Sequence, residues 1–87
     1  GPVSFNEVAM KSVYDMFLDL IMERSSGKEA KYKWLTPEVI ATYYAQSLCF
    51  ITEGWIAQGM DEIEPKEMAE AYMYLITRSM DDILNEL

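Results

Sequence analysis

Histidine is absent from the 87-residue sequence, and cysteine occurs once, at Cys49. One cysteine cannot supply a disulfide framework, and without histidine a single chain cannot assemble a zinc site. The missing histidine also removes the commonest general base of enzymes. The four glycines are scattered and form no phosphate-binding loop. The sequence therefore predicts neither an enzyme nor a protein that carries a cofactor or a metal.

Basic residues are also scarce, because seven Lys and Arg face fifteen Asp and Glu, which leaves a net charge of −8. Nucleic-acid binding needs clustered Lys and Arg, and anionic membrane surfaces are disfavoured for the same reason. No apolar run approaches the roughly eighteen residues of a membrane span, and no signal peptide is evident. We therefore expect a soluble, cytoplasmic protein that makes no direct contact with nucleic acid or membrane.

Apolar residues, in contrast, make up 51% of the chain and include seven Met, two Trp, six Tyr and three Phe. A chain of 87 residues forms one domain at most, and its interior is too small to enclose so many large side chains. Some of them are expected to face a partner or a ligand cavity. Residues 1–3 are interpreted as the disordered remnant of a cleaved expression tag, and residues 4–87 as a single helical domain.

Three helices are predicted from the apolar periodicity, at about 4–24, 37–58 and 65–86. The fold class is all-α, a three-helix antiparallel unit. The first helix begins at a capping box formed by Ser4 and Glu7. Thr36 caps the second helix, and Gly59 is free to close it in the left-handed conformation. The third helix begins at Pro65, and its last turns carry acidic residues that the helix dipole disfavours, so fraying is expected there.

The second predicted helix is apolar on two sides, whereas a surface helix needs only one apolar stripe. Its first face consists of Val39, Tyr43 and Phe50. Its second face consists of Ile40, Tyr44, Leu48, Ile51 and Trp55. The remaining narrow polar strip consists of Thr42, Gln46 and Glu53. Ser47 and Gly54 lie between the two faces and are small enough to admit a neighbouring helix or a ligand. One copy of so small a chain cannot cover both faces.

Three of the seven basic residues lie between the first two predicted helices, where Lys28, Lys31 and Lys33 are interleaved with Tyr32 and Trp34. Basic residues interleaved with aromatic ones can contact nucleic acid. In so acidic a chain, however, we favour a solvated loop whose aromatic side chains turn inward.

Few other residues offer chemistry. Asp15 and Asp19 lie one helical turn apart and could hold a metal ion, but spaced carboxylates on an exposed helix face are far more often solvated surface. Glu53 is interpreted as surface first and a ligand contact second. Cys49 has no basic neighbour that would activate its thiol, so it is interpreted as packing. We therefore predict no catalytic residue and no metal ligand.

The abundance of methionine and aromatic residues has two interpretations. Ordinary core packing is the simpler one, and helical spacing usually favours it. The other is a flexible apolar pocket, because methionine adapts to ligands of irregular shape. The residues predicted to line such a pocket are Tyr14 and Phe17 on the first helix and Tyr43, Ser47 and Phe50 on the second.

Two stretches between Leu35 and Ile76, "LTPEVIATYYAQSLCFITEGWIAQGM" and "EIEPKEMAEAYMYLI", carry a recognisable order of features. A long aromatic-rich helix ends in Trp55, Ile56, two variable positions and Gly59. The acidic-Pro pair Glu64-Pro65 then opens the next amphipathic helix. This order resembles the C-terminal half of TetR-family transcriptional regulators.

The resemblance implies a C-terminal helical domain that dimerises and often binds a small inducer. It also implies that the last two helices pair with those of a second copy in a four-helix bundle interface. The resemblance covers about the last fifty residues. Nothing in residues 1–35 corresponds to the family's DNA-binding helix-turn-helix, so we expect the regulatory half alone, which would not bind an operator by itself.

We accordingly predict a homodimer, with Trp55 as an anchor at the junction of the last two helices. The residues predicted at the dimer interface are Tyr44, Leu48, Ile51, Trp55, Met68, Tyr72, Leu75 and Ile83. One alternative is a monomer in which Trp55 only closes the core beneath the turn. A second is a regulatory region that senses a protein partner instead of a small apolar effector. A third is a stand-alone helical adaptor or scaffold with no regulator attached.

Overall fold

The computed structural model describes residues 5–59 and 62–87, without the side chains of residues 5 and 6. Its helices are α1 (Phe5–Ser25), α2 (Pro37–Ala57), α3 (Pro65–Thr77) and α4 (Met80–Asn85). No strand occurs in this described part of the chain, and the predicted all-α fold class is confirmed. Within the same residues, no helix is both long enough and apolar enough to cross a membrane.

The chain divides into two compact units, the first ending at Phe50 and the second running from Ile51 to Leu87. The division falls inside α2, so this helix contributes residues to both units. The first unit contains α1 and most of α2, and the second contains the end of α2 together with α3 and α4.

The limits of α2 agree with the capping signals in the sequence. The Thr36 hydroxyl oxygen accepts a hydrogen bond from the main-chain N–H of Val39 at 3.2 Å, which satisfies one of the free donors of the first turn. After α2 ends at Ala57, Gly59 adopts a φ of 85° and its N–H donates to the carbonyl oxygen of Ile56 at 2.9 Å. Glycine adopts this left-handed conformation without a steric penalty, so the predicted start and closure of α2 are confirmed.

The end of α1 follows the same rule. Gly27 has a φ of 74°, and the N–H of Lys28 donates to the carbonyl oxygen of Ser25 at 2.9 Å, so the helix ends at the predicted break. The predicted capping serine, Ser4, lies outside the described residues, as does the segment 1–3.

The prediction of one continuous helix over 65–86 is wrong. Helix α3 ends at Thr77, and Arg78 takes an extended conformation with φ −124° and ψ 152°. Ser79 then starts α4, because its hydroxyl oxygen accepts from the main-chain N–H of Asp82 at 3.1 Å. A serine that caps a new helix N-terminus competes with continuation of the preceding helix.

The break also removes part of the reason for the expected fraying. Asp81 and Asp82 occupy the first turn of α4, where the positive end of the helix dipole stabilises carboxylates. The sequence does contain a signal for the start of α4, because a serine followed three residues later by an acidic residue is a helix-start pattern. It was overlooked because the apolar periodicity runs through it.

Helix α4 is tied to the end of α3 by polar contacts within the second unit. The Tyr74 hydroxyl donates to the Glu86 carboxylate, and the Arg78 Nε lies 3.7 Å from the other oxygen of that carboxylate. The Arg78 guanidinium also lies over the Tyr74 ring, 4.4 Å from its centroid, a cation–π contact. These three side chains hold the C-terminal turn against α3.

Little of the apolar surface is enclosed. Among the described residues, the buried apolar side chains are Ala41, Ala45 and Tyr72, and no large side chain is fully buried. The large apolar side chains that are exposed are Val8, Met16, Leu20, Met22, Tyr32, Trp34, Val39, Tyr43, Phe50, Ile56, Met73, Leu75, Met80, Leu84 and Leu87. This much exposed apolar surface is unusual for a folded monomer.

Candidate functional site

Helices α1 and α2 pack against each other within the first unit. The ring of Phe17 meets that of Tyr44 with centroids 5.6 Å apart, and the Cys49 sulfur lies 3.9 Å from the Met10 sulfur. From the first contact to the second, the residue number increases along α1, from Met10 to Phe17, and decreases along α2, from Cys49 to Tyr44. The two helices are therefore antiparallel. The buried Ala45 has only a methyl group, which lets the helices approach closely.

A groove of about 470 Å³ opens between the two helices. Its lining residues are Glu7, Met10, Lys11 and Tyr14 from α1, and Thr42, Ala45 and Gln46 from α2. Small-molecule sites commonly measure roughly 300–1,000 Å³ and combine an apolar lining with a few polar groups. The groove has both properties, so it can accept an apolar molecule that carries one or two polar substituents.

Some of the polar groups that line the groove already have a hydrogen-bond or ion-pair partner within the chain. The Thr42 hydroxyl donates to the carbonyl oxygen of Glu38 at 2.8 Å, which leaves the hydroxyl oxygen as an acceptor. The Lys11 ammonium pairs with Asp15 at 3.0 Å on the exposed side of α1. The Gln46 side chain, which is exposed, can offer both donors and an acceptor.

Of the five residues predicted to line a pocket, Tyr14 lines this groove, and a cavity shared by all five stays a prediction. Phe17 packs on Tyr44 at the contact of α1 with α2, and the Ser47 hydroxyl donates to the carbonyl oxygen of Tyr44 within α2 at 2.8 Å. The other two predicted residues, Tyr43 and Phe50, lie on the exposed side of α2.

Sequence analysis missed the α2 side of the groove. Ala41 and Ala45, spaced by four residues, mark the stripe where α1 approaches α2, and both are completely buried. Small residues at this spacing allow close helix contact, so they were an available signal. Thr42 and Gln46, each next to one of these alanines, thereby line the groove, although the pattern had placed them in a surface strip.

A second feature of the first unit is the exposed side of α2 between residues 39 and 50, which we call the outer face. Its exposed residues are Val39, Thr42, Tyr43, Gln46 and Phe50. Tyr43 is 68% exposed and Phe50 is 74% exposed, although both side chains are large and aromatic. No residue of the outer face carries a charge. An uncharged surface with two exposed aromatic side chains is typical of a contact surface.

The residues predicted at a dimer interface are mostly covered by their own chain. Tyr44, Leu48, Ile51, Trp55, Met68 and Ile83 are half-buried, Tyr72 is buried, and Leu75 is exposed. The indole N–H of Trp55 donates to the carbonyl oxygen of Ile63 at 2.7 Å. The α2 members of this set therefore contribute to the chain's own packing.

The loop between α1 and α2 contradicts one expectation. Tyr32 and Trp34 do not turn inward, since Trp34 is 69% exposed and Tyr32 is exposed as well. The N–H of Leu35 donates to the carbonyl oxygen of Tyr32 at 3.1 Å, which closes a tight turn. The Lys31 ammonium lies 5.6 Å from the centroid of the Tyr32 ring.

The candidate carboxylates lie at the surface. Asp15 is paired with Lys11, and Asp19 and Glu53 are exposed. Across residues 5–59 and 62–87, no group of three or more metal-ligating side chains converges.

A shallow surface on α3, lined from Lys66 to Arg78, belongs to a single helix face and has no second wall.

Comparison with known protein families identifies the chain. Residues 1–78 match the family model described as the transcriptional regulator C-terminal region of the TetR family. The match includes α1, α2 and α3 and ends before α4. No curated protein and no solved structure matches the chain. Since the match covers most of its length, the chain belongs to the family of TetR transcriptional regulator C-terminal regions.

Proposed function

We propose that the chain is the dimerisation and effector-sensing region of a TetR-like transcriptional regulator. The proposal rests on one observation: the chain belongs to a family of regulator C-terminal regions, yet no large side chain among its described residues is fully buried. Burial of apolar surface is the main favourable term in folding, so such a chain needs a partner to cover its exposed aromatic and aliphatic groups. A second copy is the simplest partner, because most soluble oligomers are symmetric homo-oligomers.

The groove between α1 and α2 supports the effector-sensing part of the proposal. Met10, Tyr14 and Ala45 give it an apolar floor, while Thr42 and Gln46 place a hydroxyl and an amide at its edge. An apolar effector with a hydrogen-bonding substituent fits this combination. Because the groove is built on two packed helices, its occupancy can bias their packing.

The association state tests the first half of the proposal. Sedimentation equilibrium at micromolar concentration is expected to give twice the 10.1 kDa chain mass. A strictly monomeric chain over the same concentration range would count against dimerisation.

Methionine methyl NMR tests the second half, with 1-anilinonaphthalene-8-sulfonate as a probe for apolar binding. The methyl signal of Met10 is expected to shift on addition of the probe, because Met10 lines the groove, whereas that of the exposed Met22 is not. Thr42→Trp, which fills the groove, should abolish the Met10 shift. Ala57→Trp places the same side chain at an exposed position of α2 outside the groove and should preserve it. Equal shifts of both methyl groups would argue against a specific site.

The proposal assigns these 87 residues neither catalysis nor operator binding. The family is one of transcriptional regulators, which act by binding rather than by turnover. With a net charge of −8, this segment would repel DNA phosphates, so a separate basic segment would have to contact the operator. Acting on transcription implies a cytoplasmic location.

A second candidate function is a protein-interaction region, either in a coregulator or in a stand-alone adaptor. The exposed Tyr32 and Trp34 favour it, because aromatic side chains are enriched at protein interfaces. In this case the groove would bind no small molecule, and the methyl signal of Met10 would not respond to apolar probes. Trp34→Ala would weaken capture of a protein partner without changing the mass of the free chain.

A further inference from the structure

We propose that the loop between α1 and α2 docks an acidic segment of a different protein. Carboxylates of that segment pair with the loop lysines, and an apolar side chain among them packs on the loop aromatics. Residues 28–34 form this surface, which we call the basic–aromatic loop; the residues that carry the argument are Lys28, Lys31, Tyr32, Lys33 and Trp34. The inference depends on neither the dimer nor the groove. It rests on the second candidate function and gives that function a partner of stated chemistry.

The charge of the basic–aromatic loop is opposite to that of the rest of the chain. The loop contains three Lys and one Glu, whereas all other residues together include four basic and fourteen acidic ones. Lys28, Lys31 and Lys33 are exposed, as is Glu29. Within the described part of the chain, none of these three ammonium groups forms an ion pair with a carboxylate. An acidic partner is therefore repelled by most of the surface and attracted at the loop.

Two aromatic side chains add an apolar element to this basic surface. Trp34 is 69% exposed and Tyr32 is 52% exposed. Because a large aromatic side chain covers roughly 150–250 Å² when it is buried, the two can offer on the order of 250 Å² to a partner. The Lys31 ammonium lies 5.6 Å from the centroid of the Tyr32 ring, so a carboxylate bound by this lysine lies beside an aromatic surface. Trp and Tyr are enriched at protein interfaces, and this combination favours a protein segment that mixes carboxylates with apolar side chains.

Main-chain hydrogen bonds constrain the loop at both ends. The N–H of Lys28 donates to the carbonyl oxygen of Ser25 at 2.9 Å, and the N–H of Leu35 donates to that of Tyr32 at 3.1 Å. A constrained loop loses less conformational entropy when it binds than a fully flexible one does. The basic and aromatic side chains are therefore carried on a backbone that is already ordered.

A polyanion longer than the loop fits this surface less well than a short acidic peptide does. A DNA duplex carries one phosphate charge about every 1.7 Å along its axis and extends beyond the loop. Its phosphates would then approach the exposed carboxylates of Glu23 on α1 and Glu38 on α2, which precede and follow the loop. Single-stranded sites likewise follow a basic groove over about four nucleotides or more. A peptide can place its carboxylates on the loop alone, so we favour an acidic protein segment.

Nuclear magnetic resonance titration of the ¹⁵N-labelled chain gives the main test. The probe is an acetylated and amidated peptide of about twelve residues, all Asp or Glu except for two central Leu. The indole N–H signal of Trp34 and the amide signals of the loop are expected to shift. The indole signal of Trp55 is the internal reference, because it is hydrogen-bonded to the Ile63 carbonyl oxygen at 2.7 Å and should not move. Raising the salt from 0.15 M to 1 M shortens the Debye length from about 8 Å to about 3 Å and should weaken binding at least fivefold.

Matched variants test the two parts of the surface separately. Lys33→Glu is expected to raise the dissociation constant of the peptide at least fivefold. Lys66→Glu changes the net charge by the same amount at an exposed lysine of α3 and should leave the constant unchanged. Trp34→Ala should raise the constant at least threefold, whereas Met22→Ala, which truncates an exposed apolar side chain of α1, should not. Replacement of both Leu of the peptide by Ser should weaken binding by a factor similar to that of Trp34→Ala. Circular dichroism would confirm that each variant is folded.

The outcomes separate the inference from the proposed function. Binding that shifts the loop signals and is weakened by Lys33→Glu and Trp34→Ala, but not by their controls, supports the inference. No shift of the loop signals at about 1 mM peptide would overturn it, whereas the chain mass and the Met10 methyl response still report on dimerisation and the groove. Shifts confined to other residues would overturn the loop as the docking surface but leave a protein-interaction function in place.

Two further results would replace the acidic protein segment by another occupant. A single-stranded oligonucleotide of equal charge that shifts the same signals at lower concentration than the peptide would assign the loop to nucleic acid. A lower mass of the Lys33→Glu chain than of the wild type in sedimentation equilibrium would assign the loop to a second copy. Either result would overturn the inference.

Discussion

The indole N–H of Trp55 donates a hydrogen bond to the main-chain carbonyl oxygen of Ile63, with 2.7 Å between nitrogen and oxygen. This contact ties the last turn of α2 to the residues just before α3. A half-buried carbonyl group needs a partner, and the indole supplies it while its ring covers apolar surface. The large side chain at the helix exit is therefore explained within the chain itself.

Removal of this hydrogen bond should destabilise the chain. Trp55→Phe retains an aromatic ring but leaves the Ile63 carbonyl without its donor, so the free energy of unfolding is expected to fall by about 1–2 kcal/mol. Urea unfolding at a fixed protein concentration measures the change. Trp34→Phe is the control, since this exposed side chain should contribute within about 0.5 kcal/mol. Equal effects of the two substitutions would mean that the hydrogen bond contributes little.

Replacement of two glycines of the same region by alanine should change the stability of the chain in opposite directions. Gly59 has a φ of 85°, so Gly59→Ala is expected to cost about 1–2 kcal/mol of stability through backbone strain. Gly54 lies inside α2, and a Cβ added there would meet no atom within 4 Å. Gly54→Ala should therefore stabilise the helix by about 0.5–1 kcal/mol. Thermal unfolding followed by circular dichroism at 222 nm would record both, and a stabilising Gly59→Ala would contradict the left-handed closure.

The cap of α4 predicts a local effect. Ser79→Ala removes the acceptor of the Asp82 N–H and should cost α4 about 1 kcal/mol. Because α4 contains six residues, the loss should appear as about fivefold faster hydrogen exchange at its amides rather than as a large drop in global stability. Ser26→Ala, in the exposed turn after α1, is the control. Unchanged exchange at Asp82 would indicate that the helix does not depend on this cap.

The exposed ion pair on α1 should matter little. Lys11 and Asp15 lie 3.0 Å apart, but their side chains are 78% and 53% exposed, so solvent screens the attraction. Asp15→Asn is expected to change stability by less than about 0.5 kcal/mol at physiological salt. Addition of Mg²⁺ should leave the Tm of the wild-type chain unchanged. A rise in Tm with Mg²⁺ that Asp15→Asn abolishes would instead reveal a cation site.

The correctly predicted limits of α2 came from signals that span at most four residues. Thr36 caps α2 because its hydroxyl reaches the N–H of Val39, and Gly59 closes the helix because glycine alone takes a φ of 85° without strain. Both effects act on the neighbouring backbone and need no tertiary contact. The same kind of signal at Ser79 was present but overlooked, which is why α3 and α4 were predicted as one helix.

The groove was not predictable in the same way. Its two walls come from residues that are about thirty positions apart, such as Met10 and Thr42. Periodicity shows on which side of its own helix a residue lies, but not how far one helix is shifted along another. Tyr14 and Tyr43 were predicted to share a cavity on periodicity alone; Tyr14 lines the groove, and Tyr43 is exposed on α2.

The sequence by itself determined the helical class, the limits of α2 and its two apolar faces, because these depend on local hydrogen bonds and on the helical repeat. Only the tertiary structure decided which face is covered. Tyr44 packs against α1, whereas Tyr43, one position earlier, remains exposed. The physical reason is that both faces are similarly apolar, so the hydrophobic effect favours covering either one. The choice between them depends on the close approach of α1 at the buried Ala41 and Ala45.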